Sequence, residues 1–178
     1  MDILTGNRIK LRALEPSDIE LLYLWENNSD IWPVSNTLVP FSRFILEKYI
    51  AESHMDIFQA KQLRLMIDNI AGPGVETVGA IDLFDFDPMH ERAGIGILIS
   101  DRKYMNRGYA SDALELLINY SFTVLQLHQL YCNIDDDNKV SIKLFEKFGF
   151  RITGEKEDWN RTPGGWKNVY MLQLINRK

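Results

Sequence analysis

The chain has 178 residues, 46% hydrophobic and 25% charged, a globular composition that excludes a disordered, fibrous or linker-rich chain. A chain this long buries roughly 70% of its unfolded surface, enough for one domain that needs neither disulfides nor a structural metal to fold. Twenty Lys and Arg against 25 Asp and Glu leave a net charge of −5, which speaks against a general nucleic-acid binder and weakly favours cationic partners.

Cys132 is the only cysteine, so no intrachain disulfide can form. That usage fits a reducing compartment, and we expect a cytoplasmic protein. Residues 1–7 show no basic region followed by an apolar run, so no targeting peptide is expected. The apolar runs fall far short of the ~18–20 residues a membrane helix needs, so no membrane partner is expected. No internal repeat or low-complexity segment breaks the chain, and residues 1–178 read as one domain.

Ile9, Leu11 and Ala13 alternate with Arg8, Lys10 and Arg12, the pattern of a half-buried strand. Pro16-Ser17-Asp18 stops it, and the Ser17/Glu20 spacing predicts a capping box opening a helix with Leu21, Leu22, Leu24 and Trp25 on its apolar face. Residues 29–41, with Pro33 and Pro40, predict an irregular loop, and a second helix is expected after Ser42. Leu63–Ile70, Thr77–Phe86 and Arg92–Ser100 predict three strands, separated by Ala71-Gly72-Pro73-Gly74 and Pro88-Met89-His90. Ala110, Ala113, Leu114, Leu117, Ile118, Ser121, Val124 and Leu125 have helical spacing over Gly108–Leu125. A short strand Leu130–Ile134 follows, then a helix capped by Asn138 and ended by Gly149. Two last strands, near Arg151–Trp159 and Trp166–Ile175, flank Thr162-Pro163-Gly164-Gly165. The order predicts an α/β fold in a single domain, with a mixed sheet flanked by helices.

The segment richest in chemistry is the strand ending at Ser100, the loop Asp101-Arg102-Lys103, and Tyr104-Met105-Asn106-Arg107-Gly108-Tyr109-Ala110-Ser111 at the mouth of a helix. The first turn of a helix offers unpartnered N–H groups and partial positive charge, which suits a diphosphate. Gly108 lets backbone approach a ligand closely, and Arg102, Lys103 and Arg107 add positive charge to an acidic protein. A lone glycine would equally suit a plain strand-to-helix turn.

Met105-Asn106-Arg107-Gly108-Tyr109-Ala110 resembles the Gln/Arg-x-x-Gly-x-Gly/Ala signature of the GNAT superfamily of N-acetyltransferases. Asn138 to Phe150, N-K-V-S-I-K-L-F-E-K-F-G-F, is similar to that superfamily's second coenzyme A segment. With Arg8–Arg12 and Gly165-Trp166, the resemblance spans nearly the whole chain, and within the superfamily it is strongest to the spermidine and ribosomal-protein N-terminal acetyltransferases. It implies the GNAT-like acyl-CoA N-acyltransferase fold, with a mostly antiparallel sheet. It also implies acetyl-CoA as co-substrate, lying in a split between the strand ending at Ser100 and the strand Leu130–Ile134. Backbone groups of Ile97, Leu98 and Ile99 would pair with the pantetheine arm. Amides of Met105, Asn106, Arg107, Gly108, Tyr109, Ala110 and Ser111 would hold the diphosphate, and Asn138 and Ser141 would flank the cofactor.

Three positions depart from the family pattern. Met105 stands where Gln or Arg is usual, which backbone binding of the phosphates tolerates. Phe145 stands where many relatives carry a Tyr that protonates the leaving thiolate, and Gly94 where the polyamine enzymes carry a Glu proposed as base. Attack of a neutral amine on a thioester needs mainly proximity and a polarised carbonyl. A thiol with a pKa near 8.5 leaves tolerably without an acid. Asp82 and Asp85, on the neighbouring strand and on opposite faces by alternation, are the candidate catalytic carboxylates. Both as solvated charges on a rim strand is the alternative.

His54, His90 and His128 are scattered, and Asp135-Asp136-Asp137 reads as a solvated turn, so no metal is expected. Trp25 reads as core, and Trp32 as a loop residue able to line a substrate pocket. The sequence therefore predicts an acetyl-CoA-dependent N-acetyltransferase acting on a primary amine: a polyamine, another small amine or a protein N-terminus. The alternative is a non-catalytic acyl-CoA-binding sensor, motivated by Gly94 and Phe145. A homo-oligomer is compatible with either.

Overall fold

The computed structural model describes residues 2–35 and 37–177, with the backbone alone for residues 33 and 34. One seven-stranded sheet runs through it in the order β1-β2-β3-β4-β5-β7-β6. The strands are β1 (Ile9–Ala13), β2 (Leu63–Asn69), β3 (Glu76–Asp87), β4 (Arg92–Ile99), β5 (Gln129–Asp135), β6 (Arg151–Thr162) and β7 (Gly165–Ile175). Every neighbouring pair is antiparallel except β4–β5, which is parallel. That parallel pair is joined by the helix α5 (Tyr109–Thr123), the crossover that parallel strands require.

Both faces of the sheet are covered. On one, α5 lays Ala113, Leu114 and Leu117 over Leu65, Ile67, Ile81, Leu83 and Ile95. On the other, α1 (Ile19–Glu26) and α3 (Arg43–Glu52) bring Leu22, Trp25, Leu46 and Ile50 onto Met66 and Ala80. The apolar run Leu65-Met66-Ile67 follows from this, because a strand covered on both sides loses its polar alternation. Ser42 caps α3 by accepting from the Ile45 N–H at 3.3 Å, and Asn138 caps α6 (Lys139–Lys147) by accepting from the Ser141 N–H at 3.1 Å. Gly149, at φ 87°, follows α6 as predicted from its freedom to turn left-handed.

Three local expectations shift. The box predicted at Ser17/Glu20 is replaced by a 3₁₀ turn over Pro16–Asp18, and α1 starts at Ile19. Asp18, not Glu20, closes the turn by accepting from the Glu15 N–H at 2.8 Å. Asp18 is fixed there because Arg12 holds both its oxygens, at 2.7 and 2.9 Å, while the Arg12 Nε donates to Asp68 at 2.7 Å. Second, the region predicted as an irregular loop contains α2 (Trp32–Ser35), and α4 (Ile57–Ala60), capped by Asp56, precedes β2. Third, β6 runs on to Thr162, leaving Pro163 and Gly164 as the turn into β7.

Candidate active site

Strands β4 and β5 pair over only three residues, Arg92 with Gln129, Ala93 with Leu130 and Gly94 with Tyr131. Beyond them β5 continues to pair with β7 as far as Asp135, while β4 keeps its other edge on β3. The facing edge of β4 from Ile95 to Ile99 is left unpaired. A cleft of about 390 Å³ opens between the parted strands, lined among others by Gly96, Ile97, Asn138, Ser141, Phe145 and Trp159. An unpaired strand edge is a template for an extended amide-bearing chain, so the cleft fits a pantetheine arm.

At the outer end of β4, Gly108 caps α5 with φ 86° and Asn106 stands at φ 59°. The first N–H to turn back into the helix is that of Asp112, bonding Gly108 O at 3.0 Å. The N–H groups of residues 106–111 donate to nothing among the described residues. That is the donor set an anion needs at a helix start. Arg8 braces this turn: its Nε and Nη2 grip Asp112 at 2.8 and 2.9 Å, and its Nη1 donates to Arg107 O at 2.9 Å. The Lys147 ammonium reaches the Ser111 hydroxyl at 2.7 Å. Met105, Arg102 and Arg107 are exposed.

A second cavity, of about 410 Å³, lies under α1 and α3 and shares Gly96 and Ile97 with the cleft. Gly96 adds no side chain where the two linings meet. Its register partner on β3 is Asp82, and the partner of Asp82 on β2 is Arg64, so these three residues form one row across the sheet face. Arg64 holds both Asp82 oxygens, from Nε at 2.8 Å and from Nη2 at 3.1 Å, and reaches Glu26 from Nη1 at 2.9 Å. Burial opposes the Arg64 charge, but Asp82 and Glu26 outweigh it and keep the guanidinium protonated.

Asp85 sits elsewhere. The β3–β4 register shifts between Phe84 and Asp87, and Asp85 takes φ 49°. This bulge breaks the simple alternation expected for Asp82 and Asp85. The Asp85 carboxylate accepts from the Tyr131 hydroxyl at 3.2 Å, in a third, polar cavity with Arg92, Gln129 and Lys156. Burial and the Asp85 charge push the Tyr131 phenol up to about 12. The two candidate carboxylates are therefore not brought together.

Phe145 is buried, its ring packed edge-on against Phe150 at 5.0 Å, and it supplies no proton to the cleft. Cys132, on the cleft wall, is buried too, and burial pushes its thiol up to about 12. Trp25 lines the second cavity, whereas the Trp32 indole donates to Glu26 O at 2.8 Å.

Several residues were not singled out from sequence. Glu26, Tyr49 and Arg64 come from three elements far apart in the chain; the one signal was a charge, Arg64, inside an apolar strand. Trp159 reaches the cleft because the β6–β7 register shifts between Lys156 and Asn160, with Asp158 at φ 46°. Among the described residues no cluster of three or more His, Cys, Asp or Glu is placed to hold a metal, and no helix is long and apolar enough to cross a membrane.

Comparison with known proteins agrees with this geometry. The acetyltransferase (GNAT) domain family matches residues 8–151. The spermidine N(1)-acetyltransferase of Escherichia coli K12 is 28% identical over 98% of this chain and 89% of its own length. The uncharacterized N-acetyltransferase p20 of Bacillus licheniformis is 26% identical over 100% of this chain and 98% of its own. The spermidine N-acetyltransferase of Vibrio cholerae, solved with CoA and spermine, superposes with a TM-score of 0.84 over 96% of both chains at 22% identity. With a parted β4–β5 pair, an amide-rich helix start at Gly108 and a family match over most of its length, the chain belongs to the GNAT acetyltransferases and is an acetyl-CoA-dependent N-acetyltransferase.

Proposed function

We propose that residues 1–178 form one N-acetyltransferase domain that moves an acetyl group from acetyl-CoA to a primary amine by direct attack in a ternary complex. The observation that carries this is the sharing of Gly96 and Ile97 by two cavities, one an open strand edge and the other walled by α1 and α3. An amine in the second cavity faces, past the bare Gly96, the acyl end of a chain laid along β4. The backbone of Ile97, Leu98 and Ile99 holds the pantetheine arm, the amides of Asn106 to Ser111 hold the diphosphate, and Asn138 and Ser141 flank the arm from α6; the Met105 N–H, expected to join them, instead donates to Arg102 O at 3.1 Å.

The neutral amine nitrogen attacks the thioester carbonyl carbon; the C–N bond forms as the C–S bond breaks. The proton lost by the nitrogen passes through water to a carboxylate, and the departing thiolate takes a proton from water. Asp82, one strand from Gly96, is the nearer carboxylate, with Asp85 as second candidate. The names of the curated relatives support an amine acceptor. No feature of the cleft favours the sensor alternative, since both cavities reach Gly96 and Ile97.

Thiol release from acetyl-CoA, followed over a panel of polyamines, arylalkylamines, aminoglycosides and short peptides, tests this reading. Amine-dependent release is expected. Tight acetyl-CoA binding with no release for any amine would sink it.

A further inference from the structure

The second cavity is unlike a polycation site. Its walls are largely apolar and aromatic, with Trp25, Phe41 and Tyr49 among them. The charged groups among its described lining residues are three: Glu26, Arg64 and Asp82. Two carboxylates share one guanidinium, so the described lining carries one net negative charge. Both Asp82 oxygens are engaged by Arg64, as is Oε1 of Glu26. The other Glu26 oxygen accepts no hydrogen bond among the described residues. The Arg64 guanidinium lies 5.5 Å from the centre of the Tyr49 ring, which burial keeps as the neutral phenol.

One free carboxylate oxygen accommodates one ammonium. A second ammonium on the same molecule would be desolvated against aromatic walls with no carboxylate of its own, close to a fixed cation. An apolar body instead displaces water from Trp25 and Phe41, which favours binding.

Resting on the acetyl-transfer reading above, we infer that the acceptor is a compact amine with a single positive charge on an apolar body, and that Arg64 sets this specificity by neutralising one of the two carboxylates. Arg64 is a specificity residue here and takes no part in bond making. This sets the protein apart from relatives named for spermidine.

The test compares kcat/KM for 2-phenylethylamine and spermidine with the full chain at one pH and ionic strength. The expected value for 2-phenylethylamine is at least tenfold above that for spermidine. Arg64→Gln uncovers a second carboxylate and is expected to move the ratio at least tenfold toward spermidine, while Arg64→Lys, which keeps the charge, holds the ratio of the wild type. Thermal melting of each variant is measured alongside, and the wild-type ratio decides even if Arg64→Gln does not fold. Spermidine equal to or better than 2-phenylethylamine in the wild type overturns the inference and leaves acetyl transfer standing. A folded Arg64→Gln variant with an unchanged ratio overturns the role of Arg64. Absence of thiol release with every amine overturns both readings.

Discussion

Phe84 and Gly94 oppose one another across the β3–β4 ladder, and a Cβ on Gly94 would lie 2.3 Å from Cε2 of the Phe84 ring. The ring also makes an edge-on contact with Tyr131, centroids 5.9 Å apart. The place where polyamine enzymes carry a Glu is thus taken up by an aromatic ring. Gly94→Ala is expected to cost about 1–3 kcal/mol through overpacking, and Gly94→Glu more. Adding Phe84→Ala to Gly94→Ala should cost less than the two single changes together, because removing the ring relieves the clash that the new methyl creates. Thermal unfolding of the four proteins checks the sign of that coupling.

Gly108 is constrained twice. Its φ of 86° is a left-handed conformation, and a Cβ there would meet the Arg8 Nη2 at 2.6 Å. Gly108→Val strains the turn whose free amides are proposed to hold the diphosphate and is expected to weaken acetyl-CoA binding more than tenfold by calorimetry. Arg8→Ala leaves the backbone preference of the turn intact, and a smaller loss is expected. Unchanged affinity in Gly108→Val would remove this turn from the binding site.

The proton fate predicts the pH–rate profile. An amine acceptor with a pKa near that of lysine, about 10, is mostly protonated at pH 7. Without an enzyme base, the rate climbs about tenfold per pH unit until the amine is neutral or another step limits. With Asp82 as the base, the profile bends at lower pH, and Asp82→Asn lowers kcat by roughly 10²–10⁴. Asp85→Asn is the matched control on the other carboxylate. If both variants keep full kcat and the wild-type profile, neither carboxylate is the base.

Acid stability is tied to the Arg12 cluster. Burial alone would raise the Asp18 carboxyl, but hydrogen bonds from Arg12 and the Glu15 N–H outweigh it and hold it below its ordinary value. A carboxyl lowered in the folded state stabilises the protein above its unfolded value of about 4, and that stability is lost as pH falls through the folded value. Chemical denaturation between pH 7 and 2 should show this loss in the wild type and a flatter slope in Asp18→Asn. Arg12→Met strands Asp18 and Asp68, both buried, and a loss of about 3–5 kcal/mol is expected at pH 7.

Cys132 should be chemically quiet. A thiol pushed up to about 12 is thiolate to only about one part in ten thousand at pH 8. A disulfide exchange reagent is expected to react slowly with the folded protein and to titrate one thiol at once in denaturant. Rapid labelling of the folded protein would mean that the β5 wall of the cleft opens.

Local pattern determined much of this protein. Alternation at Arg8–Ala13, the periodicity after Gly108, the Asn138 cap and the stop at Gly149 are short-range effects of side-chain spacing and backbone freedom, so they could be read in order along the chain. The proposed cofactor half of the site could be named for the same reason, since a strand, a turn and a helix start are contiguous from Ala93 to Ser111. The acceptor half was not. Glu26, Arg64 and Asp82 meet only because β2 and β3 pair in one register and α1 folds over that face. Asp85 left the alternation expected of it because a bulge re-aimed it toward Tyr131. Trp159 reached the cleft through a bulge in β6. Which strands become neighbours, and where a register slips by a residue, depends on packing summed over the whole sheet, so the charge and shape of the proposed acceptor cavity were decided by the tertiary structure alone.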